Sequence, residues 1–326
     1  MKNEFLKTVV HSKIILAVLA VSILVPSTFS AASAVSVVAT IPAGSGPVGV
    51  AIDLYTHKIF VTDQNSGKVS VINENTNLIT AKIPVGIFPE GIAVNPKTAT
   101  VYAENGGSFT LSVINGHINT VTATLSTLGY ARYGVAVNPN TNTVYVTSNN
   151  DNTLYVLNGS TNTVIATIPV GTDPSHVAVN PASNTVYVAN QLDNTVSVIN
   201  GKTNTVTATI PVGNQPALIG VDPTTNTVYV ANSQSNTVSV INGHKNTVTA
   251  TIPVGSSPYG VGVDPKTNTI YVSNNSDKTV SVIDGSTNTV TATIPVGSGP
   301  LGIGIDPNTS TAYVANGGDN TISVIR

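Results

Sequence analysis

A 42-residue beat constrains this chain more than any other feature. Segments of the Ile-Pro-Val-Gly type begin at Ile41, Ile83, Ile168, Ile210, Ile252 and Ile294, with a degenerate copy at Leu125; the interval is 42 residues except for one of 43 before Ile168. An aromatic keeps the same time at Phe60, Tyr102, Tyr145, Tyr187, Tyr229, Tyr271 and Tyr313. A period of this length marks repeats in which each unit completes its core only against its neighbours.

Residues 210–251 show what is repeated. Ile210-Pro-Val-Gly213 leads to an apolar run at 218–221 and then to Asp222-Pro223-Thr-Thr-Asn226. Thr227-Val-Tyr-Val-Ala-Asn232, Thr237-Val-Ser-Val-Ile-Asn242-Gly243 and Thr247-Val-Thr-Ala-Thr251 follow. These are four strand-length runs, named a to d, split by Asn, Asp, Pro and Gly. β-branched residues suit a pleated surface, and Asn and Gly suit tight turns. Seven such units predict an all-β fold, a seven-bladed β-propeller of four-stranded antiparallel blades. A solenoid would want atypical capping units, and neither end of the repeat looks like one.

The ends sharpen the expectation. The last copy stops after strand c, at Ile322-Ser-Val-Ile-Arg326, and the first is preceded by an orphan strand d, Val35-Ser-Val-Val-Ala-Thr-Ile41. Pairing the two completes the seventh blade and removes a sheet edge that would otherwise template aggregation. Strand a is expected at the axis, buried on both sides, as its apolar runs suggest. Strand d, alternating Thr with Val or Ala, is expected at the rim.

Residues 1–34 are of another kind. Lys2, Lys7 and Lys13 precede an apolar run at 14–25, and small residues follow up to Ala32-Ser33-Ala34. This order predicts a secretory signal peptide at 1–34, cleaved after Ala34, with the propeller at 35–326. A run of about a dozen residues is short for a membrane span, which takes about 20; an uncleaved anchor is the alternative. The expected mature chain, without a transmembrane segment, keeps ten basic and fourteen acidic side chains, which argues against nucleic-acid partners. The chain has no cysteine, so disulfides and thiolate chemistry are excluded.

The run (Val/Ile)-Tyr-Val-(Ala/Thr/Ser)-Asn at 144–149 (with Ser148 interposed), 186–190, 228–232 and 270–274, set between Ile-Pro-Val-Gly and Thr-Val-Ser-Val-Ile-Asn-Gly, resembles the YVTN-family β-propeller repeat. The resemblance covers residues 35–326. It implies a seven-bladed propeller of the kind found in surface-layer and exported proteins, including YncE-like periplasmic propellers, some of them associated with DNA. The broader group is similar to propellers of nitrous oxide reductase and amine dehydrogenase, whose chemistry depends on cofactor ligands. The shared motif is scaffold, so it assigns no catalytic residue and no cofactor here.

Differences among the copies point to where function can sit. The a–b and c–d turns vary little, whereas the d–a and b–c loops vary strongly and share one face of the predicted disc. Just before the strand-a glycine stand Val48, Glu90, Tyr133, Ser175, Ala217, Tyr259 and Leu301. The glycine position becomes His176 and Leu218 in two copies, and Arg132 stands where other copies have Pro, near Tyr130. Glu90, Tyr130, Arg132, Tyr133, His176 and Tyr259 are therefore the candidate ligand-binding residues around one channel mouth, Arg132 for an anion and the tyrosines for stacking. The structural alternative is that Arg132 pairs with Glu90 and His176 fills the space of a glycine.

Asp63, Glu104, Asp151, Asp193, Asp277 and Asp319 in the b–c loops lack the alternating pattern of a calcium loop and are expected to serve as turn residues. Asp53, Asp222, Asp264 and Asp306, interchanging with Asn95, Asn138 and Asn180, are expected to cap turns. His57, His117 and His244 occupy turns of different blades, so no metal site is expected. Sequons occur at Asn158, Asn274 and Asn308. The expected function is a non-enzymatic, exported scaffold binding a cell-envelope protein or glycan, with a surface layer as one setting. A lactonase- or lyase-type enzyme built on Glu90, Arg132 and His176, and a single-stranded DNA binder, are the alternatives.

Overall fold

The computed structural model describes residues 35–126 and 134–326. They form seven four-stranded antiparallel sheets, six of them meanders in chain order, and the innermost strands of successive sheets lie side by side around an axis. Blade 1 runs through strands a Pro47–Asp53, b Lys58–Asp63, c Lys68–Asn73 and d Leu78–Pro84. Among the described residues the one helical segment is a 3₁₀ turn, Gln64–Ser66.

Blade 7 is closed as its ends require. Its strands a Pro300–Asp306, b Thr311–Asn316 and c Thr321–Ile325 are completed by Val37–Pro42, with Thr40 opposite Ser323 and Ile41 opposite Ile322. Beyond the strand, Ser36 N donates to Arg326 O at 2.9 Å and Arg326 N to Ser36 O at 3.1 Å. No other blade draws on both ends of the chain.

The core lies between blades. The aromatic of each strand b, Phe60 in blade 1 and Tyr in the others, enters the cluster of the next blade: Tyr187 of blade 4 packs with Ile219, Val228 and Val230 of blade 5, and Tyr313 of blade 7 with Ile59, Val61 and Ile72 of blade 1. One point departs from expectation. Strands b and c are the buried ones, whereas residues within strand a, such as Val50, Ala51 and Ile52, remain half-buried. Strands b and c are sandwiched between blades on both faces; the strands a stand around an axial opening that no neighbour fills.

The repeated polar residues each have a task. In blade 4, Asn190 ends strand b and its Nδ2 donates to Thr195 Oγ1 and Ser197 Oγ, both at 2.9 Å, while its Oδ1 accepts from Gly171 N at 3.1 Å. One buried amide thus ties the b–c hairpin to the incoming loop, and its equivalents Asn105, Asn232, Asn274 and Asn316 make the same bonds to Thr and Ser. Strand d carries a bulge at Thr207, whose Oγ1 donates to Val198 O at 3.2 Å; Thr80, Thr122, Thr249 and Thr291 repeat the bond. The bulges twist each exposed edge away from intermolecular pairing. Asx capping at the end of strand a is as expected: Asp222 Oδ1 accepts from Thr224 N at 2.8 Å, and Asp53, Asp264 and Asp306 accept likewise.

Blade 1 has Asp63 where five of its sisters have Asn and blade 3 has Ser148. The carboxylate is buried and accepts from Ser70 Oγ at 2.6 Å. Burial raises its pKa above the ordinary 3.8, against that hydrogen bond and the charges of Lys82 and Lys68. A raised pKa means that the folded state is penalised once pH exceeds that value, so replacing the charge with an amide should stabilise the fold. Asp63→Asn is expected to raise the melting temperature at pH 7 by about 2–4 °C, and the gain should vanish as pH falls to about 3.8. Thermal melts of both proteins across pH 3.5 to 7.5 check this.

Candidate functional site at the axial cavity

The half-buried strands a leave a cavity of about 100 Å³ at one end of the axis. Its walls are the first residues of these strands, among them Val48, Ile92, Leu218 and Ile303, and polar and apolar surface share the lining about equally. Three polar side chains open into it: Glu90 from blade 2, His176 from blade 4 and Tyr259 from blade 6. The structure thus joins three of the residues singled out by comparing the copies. Tyr130, Arg132 and Tyr133, the other three, lie outside the described residues.

Close backbone approach explains the glycines of this rim. A Cβ on Gly260 would come within 2.1 Å of Leu301 O, and one on Gly302 within 2.5 Å of Val48 O. Strand-b hydroxyls seal the same contact. Gly260 N donates to Ser273 Oγ at 2.7 Å and Ser273 Oγ donates to Leu301 O at 2.7 Å; Gly49, Thr62 and the Glu90 carbonyl repeat the relay between blades 1 and 2.

His176 replaces such a glycine and makes a bond across the seam. Ile219 N of blade 5 donates to His176 Nδ1 at 3.2 Å. A ring nitrogen that accepts carries no proton, so the neutral imidazole holds its hydrogen on Nε2. Burial lowers the His176 pKa from 6.5 to about 4. The side chain therefore fills a glycine's space and also presents a fixed donor. Glu90 is 8% exposed and its Oε1 accepts from Gln64 Nε2 at 2.5 Å. Gln64 was not apparent from the sequence; a polar residue in a variable b–c loop gives no sign that it reaches the next blade.

The acidic b–c loops are clamps. Asp193 Oδ2 accepts from Thr172 N at 2.7 Å, Asp277 Oδ2 from Ser256 N at 2.6 Å and Asp319 Oδ2 from Ser298 N at 2.6 Å, each holding the d–a loop beside it. Among the described residues no group of three His, Asp or Glu is placed to hold a metal ion. Asn274 of the sequons is buried and committed to Thr279 and Ser281.

A ¹⁵N NMR titration should show His176 as the neutral Nε2–H tautomer throughout pH 5 to 8. An imidazole titrating between pH 6 and 7 would contradict the geometry.

The profile of the YNCE-like beta-propeller family matches residues 177–270, which span parts of three blades. No curated protein sequence matches the chain. Among solved structures, hydrazine synthase of Kuenenia stuttgartiensis superposes with a TM-score of 0.79 over 88% of this chain and 96% of that one, at 19% identity. At that identity the likeness concerns the fold. With its closed ring of seven blades and its profile match, the chain is a propeller repeat protein similar to the YncE-like family.

Proposed function

We propose that this protein is an exported, non-enzymatic binding propeller of the cell envelope, which takes the end group of an envelope glycan or protein into its axial cavity. One observation carries the reading: Glu90, His176 and Tyr259, departures from the repeat in three different blades, open into a single cavity. The strand-b Tyr, the buried Asn and the bulge Thr of the same blades (Tyr102, Asn105 and Thr122 in blade 2, for example) keep their repeat residues, so these three positions vary on a constant frame.

The lining suggests what fits. His176 Nε2–H calls for an acceptor, Glu90, held by Gln64, adds an acidic edge, and Tyr259 with the aliphatic part of the wall suits a ring or apolar face. A volume of about 100 Å³ is well below the ~300–1,000 Å³ of pockets that enclose a whole small ligand, which favours the tip of a larger molecule. An imidazole held near pKa 4 is a weak base at neutral pH, where acid–base catalysis favours a pKa near the working pH. This supports recognition over catalysis at His176. Export rests on the order of charged, apolar and small residues in 1–34.

Labelled propeller should bind isolated envelopes of its source. His176→Phe, which keeps the bulk and removes the donor, should weaken binding about tenfold, as the loss of one buried hydrogen bond does. Tyr259→Ala should do the same, with both variants melting within a few degrees of wild type. Wild-type protein that binds no envelope fraction, or folded variants that bind as well as wild type, would overturn the proposal.

A further inference from the structure

The seam between blades 7 and 1 is built unlike its sisters. In three other seams the Asn ending strand a reaches the next blade: Asn95 Nδ2 donates to Asn142 Oδ1 at 2.7 Å, Asn138 to Asn184 at 2.7 Å and Asn180 to Asn226 at 2.6 Å. Each receiving Asn lies in the left-handed region. Each also faces a c–d turn glycine, Gly159, Gly201 or Gly243, on which a Cβ would come within 2.6 or 2.7 Å of that Asn.

At the closing seam all three positions change together. Strand a ends in Asp306, the left-handed residue is His57 (φ 53°), and the glycine's place is taken by Glu74. Glu74 is 6% exposed and Asp306 1%. Glu74 Oε2 lies 3.1 Å from His57 Nδ1, while its Oε1 is buried and meets no donor, with the Asp306 carboxyl beside it. Asp306 is already an acceptor on both oxygens, from Asn308 N at 2.9 Å and Thr309 Oγ1 at 2.6 Å. A carboxylate so placed can bond a second carboxyl only if the other supplies the hydrogen.

We infer that the blade 7–blade 1 seam is a proton-binding site, in which Glu74 retains its hydrogen and donates it to the Asp306 carboxylate, bridging the two ends of the ring. The groups facing Glu74 are His57 from its own blade, Asp306 and Tyr313 from blade 7, and Arg326 beyond Tyr313. Their balance agrees with the assignment. Burial first, then the bond to Asp306, raise Glu74 above its ordinary 4.5 against the pull of His57. Burial pushes Asp306 up as well, but the bonds from Thr309, Glu74 and the amide of Asn308 outweigh it and hold that carboxyl below 3.8. The proton thus belongs to Glu74. For a group whose folded pKa is raised, the stabilisation is complete below the unfolded value and is lost as pH rises through the folded one. Above that pH two buried carboxylates share the seam and repel.

Thermal unfolding of the full chain between pH 4 and 8 tests this with Glu74→Gln, which keeps a hydrogen donor and has no charge to gain. Wild type and variant should melt together at pH 4, and the variant should melt higher by at least about 2 °C at pH 8. In the Asp306→Asn background the gap should shrink by half or more. A wild-type curve parallel to that of Glu74→Gln at every pH would overturn the inference, and so would a gap that Asp306→Asn leaves intact. If Glu74→Gln does not fold, Glu74→Gly, which restores the sister residue, takes its place and should abolish the same pH-dependent step.

Discussion

The pairing of Val37–Pro42 with Thr321–Ile325 is the contact on which the rest of this molecule depends. Each hydrophobic cluster is shared by two blades, so no blade has a complete core of its own. In an open array one face at each end would expose a row of Val, Ile and Tyr to water, at about 25 cal/mol for each Å² of apolar surface. Closing the ring removes both faces at once. Residues nearly three hundred positions apart must meet for that, and the entropy of such a long loop grows only slowly with its length.

The closed ring also separates two kinds of position. Asn190 and its equivalents, the bulge threonines and the strand-b aromatics recur in most blades, because the same local problem recurs. The rim of the axis is different, because the first residues of strand a meet their counterparts across the opening. A substitution there, such as His176 for glycine, changes a shared cavity without disturbing the ladder of its own blade. Binding residues can therefore vary one at a time on a constant frame. The closing seam is a third case, in which His57 and Glu74 depart from the repeat together beside Asp306.

Much of this architecture is legible in the residues, since a 42-residue beat and an orphan strand at 35–41 admit few other folds. Local chemistry is legible too: Asx caps and left-handed Asn turns depend on neighbours within a few residues. The half-burial of strand a is not legible, because its apolar run looks the same whether the second face meets a neighbour or an opening. Glu90, His176 and Tyr259 stand out as departures from the repeat, and their meeting in one cavity follows from ring geometry. Gln64 was invisible, because its partner lies one blade away. Glu74 departs from a turn glycine just as plainly, but its meaning depends on Asp306, more than two hundred residues distant.

Closure has a direct chemical test, because the chain has no cysteine of its own. Thr40 and Ser323 lie directly opposite each other in the closing ladder. Cross-strand partners stand about 4.5–5.5 Å apart at Cα, within the span of a disulfide. The Thr40→Cys, Ser323→Cys double variant, oxidised when dilute, is predicted to form an intramolecular bond in nearly every folded molecule. It should then migrate as a circularised chain in a denaturing gel and melt above its reduced form. Thiols that stay free in the folded protein, or that cross-link only between molecules, would mean that the ends do not meet and the ring is not closed.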